Sequence, residues 1–111
     1  MNKQEIYRKA EQAFNQTFEA AIKSAKMVSK KAGEAAQVTK LLIEKLKLEH
    51  RISKNFTELG HRVYDQAERY PGESLLEDAD IRRLIQEAKQ LDQDLSLIEQ
   101  GIERERKKES V

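Results

Sequence analysis

The sequence predicts an all-α protein: a long antiparallel helical hairpin, or coiled coil, carrying an N-terminal amphipathic helix. Three observations lead there. Apolar residues recur every three or four positions along most of the chain. Breakers are scarce, with one Pro and four Gly in 111 residues. Charged residues make up 37% of the chain and aromatic residues only 5%. Three-and-four spacing places side chains on one helical stripe, and a heavy charge load keeps the other faces in water. High charge with few aromatics also marks disordered chains, but the net charge is only +1 and the apolar rows are periodic, which favours folded helices. The length allows one domain.

The hairpin is expected over residues 36–106, with its turn at 70–74. Before the turn the stripe is Ile52, Phe56, Leu59, Val63, Ala67 and Tyr70; after it, Ile81, Leu84, Ala88, Leu91, Leu95, Ile98 and Ile102. Pro71 disfavours helical geometry at Tyr70. Ser74-Leu75-Leu76-Glu77 has the form of a capping box, and Glu77, Asp78 and Asp80 would put negative charge at the positive end of the next helix. Folding there pairs Val63 with Leu84, Leu59 with Ala88, Phe56 with Leu91 and Ile52 with Leu95. From Val38 onward Leu41, Leu42, Ile43, Leu46, Leu48 and Tyr64 widen the apolar face beyond one seam, which implies more than one packing partner. Gly60, beside Leu59, reads as a place where another helix comes close. Residues 107–111 lose the apolar rows and are expected to fray.

Residues 1–35 read as a basic amphipathic helix with Tyr7, Ala10, Phe14, Phe18, Ala21, Ala25, Val28 and Ala32 on one stripe and Ile6, Ile22 and Met27 at its flanks. Two outcomes compete at its end. Lys30-Lys31-Ala32-Gly33 has the marks of a helix C-terminus, since cations suit the negative end of the dipole and Gly accepts left-handed geometry. A stop there would make this helix the third of a bundle. Yet no Ser, Thr, Asp or Asn follows to cap a new helix, and the stripe passes Gly33 in phase. One continuous helix from near Lys3 to Arg69, bent at Gly33, is therefore the favoured expectation.

The charge is graded. Residues 1–33 carry seven Lys/Arg against three acids, 34–70 seven against six, and 71–111 seven against eleven. This gradient favours contact between the first and last thirds, within one chain or between two. It is too balanced for a phosphate-tracking face, so nucleic acid is not the expected partner.

Chemistry is sparse. Without cysteine, disulfides and zinc ribbons are excluded. No segment reaches the roughly 18 apolar residues needed to cross a bilayer, and the charged N-terminus has no signal-peptide core, so a cytoplasmic location is expected. The isolated glycines form no phosphate loop, and Ser and Thr stand on charged helices without a pocket, so no enzyme and no small-molecule substrate are expected. Glu58 and His61 have the Glu-x-x-His spacing of di-iron bundles, but His61 falls opposite the Leu59/Val63 seam and no second such pair exists. His50 lies eleven positions away, about 16 Å along one helix, too far to share a metal. Both histidines read as surface residues, and no cofactor is expected.

The run Val38-Thr39-Lys40-Leu41, Lys45-Leu46-Lys47-Leu48, Ile52 and Leu59-Gly60-His61-Arg62-Val63-Tyr64 resembles small, uncharacterised bacterial helical proteins, many of which end in a zinc ribbon. The resemblance covers about residues 20–100 and implies a long Lys-rich helix, an acidic turn and a returning helix, with no known activity. Lacking cysteine, this chain departs from the ribbon-bearing form.

The functional expectation is a coiled-coil interaction or scaffold protein that self-associates or binds a helical partner, with Tyr7, Phe14, Phe18 and Ile22 as contact residues. The alternative is a peripheral protein that lays residues 1–33, with Lys23, Lys26, Lys30 and Lys31, on anionic lipid. A metal-binding helical oligomer through Glu58 and His61 is the remote third.

Overall fold

The computed structural model describes residues 3–31, 33 and 35–109, without the side chains of Lys3, Gln4, Ile6, Tyr7, Ala10, Ala13, Phe14, Ser29 and Glu109. The fold is all-α. Helix α1 spans Lys3–Lys31, α2 spans Ala36–Arg69, a single 3₁₀ turn covers Leu75–Glu77, and α3 spans Ala79–Glu109. The molecule measures 59 × 30 × 13 Å, a layer about one helix deep. Helix α2 is the middle member: α1 packs on one side of it and α3 on the other, and among the described residues α1 does not meet α3. The first and last thirds of the chain are thus held apart, contrary to the intramolecular contact that their charges suggested.

The continuous helix over residues 3–69 is not formed. The chain breaks at Gly33, whose φ of +69° lies in the left-handed region and whose amide donates to the Lys30 carbonyl at 3.2 Å. Helix α2 then starts without a side-chain cap. Ala35 stands at that position in extended geometry, and its carbonyl accepts from both the amide and the hydroxyl of Thr39. A missing cap costs about 1 kcal/mol. Folding back half-buries Phe18, Ala21, Ile22 and Ala25 against α2; full burial of one large apolar side chain is worth about 1.5–3 kcal/mol, so two of them half-buried, with the alanines, gain about as much. The tertiary contact outweighs the absent cap, and the Lys-Lys-x-Gly signal prevails over the unbroken stripe.

The hairpin forms, but its turn is longer than expected. Helix α2 ends as the Tyr70 amide donates to the Gln66 carbonyl at 2.9 Å, and Gly72 takes a φ of +92°. Ser74 precedes only the 3₁₀ turn and makes no side-chain cap there. The residue that caps α3 is Asp78, whose Oδ1 accepts from the Ile81 amide at 2.9 Å. The helix therefore begins four residues after the capping box placed it.

The register moves with it. Asn55 Nδ2 donates to the Leu84 carbonyl at 3.0 Å, Arg62 pairs with Asp80 at 2.5 Å, and a Cβ on Gly101 would sit 3.7 Å from Leu41. Leu84 is thus level with Asn55 rather than Val63. The slip is about one heptad, and a seam of period 3.5 matches itself equally well after such a slip. The link over residues 70–78 doubles back along the end of α2, and this decides between the two registers. Phe56, expected in the seam, is instead 57% exposed, and Asn55 is the buried polar residue at the interface.

The α2–α3 seam holds Val38 and Leu48 from α2 and Ile81, Leu84, Leu91 and Ile102 from α3. The C-terminal segment expected to fray from residue 107 continues as helix to Glu109, with Lys107 paired to Glu103 and Lys108 to Glu105, each at 3.3 Å.

Gly60 is exposed, and a Cβ there would meet nothing within 4 Å, so it does not mark a close contact inside the chain. Gly60→Ala is expected to raise the unfolding free energy by about 0.5–1 kcal/mol through helix propensity alone. Urea denaturation followed by circular dichroism measures it; a loss of stability would show that the position is crowded.

Candidate interaction surfaces

Among the described residues, the junction of α1 and α2 is built from few groups. The Phe18 ring stacks on the His50 imidazole, centroids 4.0 Å apart and planes 12° from parallel. Glu11 pairs with Lys54 at 3.3 Å, both side chains well exposed, a geometry that adds little stability. Of the four expected contact residues, Phe18 and Ile22 are half-buried in this junction. The side chains of Tyr7 and Phe14 lie outside the described residues.

His50 is not the surface histidine the sequence suggested. Burial against α1, and secondarily the neighbouring Lys54 ammonium, lowers its pKa from the ordinary imidazole value. The folded state thus resists protonation while the unfolded chain accepts it near pH 6.5, so His50 contributes full stability above that pH and loses it as pH falls through the folded pKa. Thermal melts are expected to show destabilisation between pH 7.5 and 5.5 that is smaller in His50→Phe. An equal pH response in the two proteins would remove His50 as its source.

At the turn end, Arg62 of α2 reaches Asp80 at 2.5 Å and Asp78 at 3.6 Å. Arg83 of α3 lies 3.7 Å from Glu58 and 2.9 Å from Glu87. These pairs bracket the Asp78 cap and pin the register. Glu58 is therefore engaged across the hairpin and His61 is exposed. Among the described residues, no group of three His, Asp or Glu side chains is placed to hold a metal ion.

Shallow grooves run between α2 and α3. One is lined by Arg51, Lys54, Asn55, Glu58, Glu87, Gln90, Leu91 and Asp94; another, with Leu48, Leu97 and Ile98 at its floor, is rimmed by Glu44, Lys47, Arg51 and Asp94. Both are open to solvent; the first is lined mainly by opposed charges, while the second exposes mostly apolar surface, including Leu97 at 65% exposure. Further apolar surface stands outside the grooves: Phe56 and Tyr64 on α2, 57% and 58% exposed, and Met27 and Val28 on α1, 59% and 65% exposed. Met27 lies among the exposed lysines 23, 26, 30 and 31.

The described architecture is that of an all-helical protein with no helix, among the described residues, long and apolar enough to cross a membrane. Comparison with protein-family models, with curated proteins and with solved structures finds no match to this chain.

Proposed function

We propose that this chain is a non-enzymatic, cytoplasmic coiled-coil scaffold whose working parts are helix faces that bind other helices. One observation carries the reading: a layer one helix deep leaves large apolar side chains, above all Phe56 and Tyr64, in water along its central helix. Exposed apolar faces of this kind typically mark interaction surfaces. Helix α1, with Tyr7, Phe14, Phe18 and Ile22, is the second proposed contact. Phe18 is already used against His50, so offering it to a partner requires α1 to leave α2.

A photo-crosslinking phenylalanine analogue at position 56 tests this in cells. The expected result is a discrete adduct with one helical protein or with the chain itself, and none from the same probe at exposed Lys89. Equal labelling from both positions would overturn the reading.

The membrane-surface alternative draws on Met27 and its ring of lysines, an apolar tip within a cationic patch. Co-sedimentation with anionic vesicles, absent with neutral ones, would support it; no binding to either removes it.

A further inference from the structure

We infer that the occupant of the exposed face of α2 is a second copy of this chain, lying antiparallel and related by a two-fold axis perpendicular to the helix. The inference rests on the interaction reading above and names its partner. Leu42, Leu46, Ser53, Phe56 and Gly60 recur at spacings of four, three or their sums, with Tyr64 one turn further on, and so form a row beside the seam that Leu48 and Asn55 present to α3; Leu42, Leu46 and Ser53 are half-buried in the single chain, Leu42 bordering Ile102 of α3. Phe56 and Tyr64 are largely exposed on it. Gly60 between them is an open notch, where a Cβ would meet nothing within 4 Å. About a centre at Ser53, the antiparallel arrangement sets Leu46 over the partner's Gly60 and Leu42 near the partner's Tyr64, large residues against small or flat ones.

Charge selects this direction. Contacts of Glu11 with Lys54 and of Leu41 with Gly101 place residues 20–48 and 93–109 at one end of the molecule. Those residues carry eleven Lys/Arg against seven acids, and the remainder carry ten against thirteen. The rod is thus positive at the Gly33 end and negative at the Pro71 end. A parallel pair would stack like charge on like; an antiparallel pair lays each positive end along the other's negative end.

Sedimentation equilibrium of the full chain is expected to show a dimer whose dissociation constant rises with salt. Phe56→Glu should raise that constant at least tenfold without loss of helical signal, because the side chain is exposed in the single chain. Gly60→Leu separates interface from fold: it should raise the monomer's melting temperature while weakening the dimer. Lys40→Cys, the sole cysteine, carries a spin label; two antiparallel copies centred on Ser53 put these labels about 40 Å apart at 1.5 Å per residue, whereas parallel copies put them within about 20 Å. A monomer at all concentrations, a dimer indifferent to both substitutions, or the short label distance overturns the inference. In the first case a crosslink from position 56 to a different protein would still uphold the interaction reading, and its absence would remove both.

Discussion

Leu84→Ala is expected to lower the unfolding free energy by about 2–5 kcal/mol, the range for truncating a fully buried leucine. Leu84 is wholly buried, and its carbonyl receives the Asn55 amide, so a cavity would open beside the one buried polar residue of the seam. In a broad core, neighbouring side chains share such a loss. Here only six described apolar side chains are buried, three of them fully, and a domain of this size commonly holds about 5–15 kcal/mol in all. The substitution should therefore remove a large share of the total stability. Urea titration followed by circular dichroism gives the value, with Leu97→Ala as the control: Leu97 is 65% exposed on the same helix, and its truncation should cost no more than about 0.5 kcal/mol. Similar losses at the two positions would mean that the α2–α3 seam is not where stability resides.

Gly33→Ala is expected to change shape more than stability. In the folded-back state residue 33 has φ +69°, which costs an L-residue about 1–2 kcal/mol. In a continuous helix the same replacement gains about 1 kcal/mol. The balance between hinged and straight forms therefore moves by about 2–3 kcal/mol, roughly 30- to 150-fold. Opposing it, among the described residues, is the junction of Phe18, Ile22 and the small alanines with α2, together with the Glu11–Lys54 pair. A straight helix over residues 3–69 would span about 100 Å, against a present longest dimension of 59 Å and a radius of gyration of 18.1 Å. Small-angle scattering should show the radius rise markedly in the variant, with helical content kept or increased. An unchanged radius would mean that docking of α1, not the glycine, holds the hinge.

The helices were legible because their cause is local. Three-and-four spacing, few breakers and the Tyr70-Pro71-Gly72 stop act within one or two turns, and the structure keeps them. The cap was misplaced by four residues because Ser74 and Asp78 both offer a side-chain oxygen to a following helix; only the path of the link shows that Asp78 receives the Ile81 amide. Gly60 signalled a close helix contact by its type, but no described side chain comes near it. His50 looked like a surface residue because the fold-back that brings Phe18 onto it joins positions 32 apart.

What the sequence determined by itself was the all-α class, the existence of the hairpin and the two arms that form it. What only the tertiary structure decided was the break at Gly33, the heptad of the seam and hence which residues face water. Apolar stripes carry a direction around the helix but no unique position along it, since a shift of seven residues restores the match. The hinge posed a similar near-balance, with one missing cap against a few half-buried side chains. Non-local contacts settle such ties, and they turn a three-part charge gradient along the chain into a rod with one positive end and one negative end.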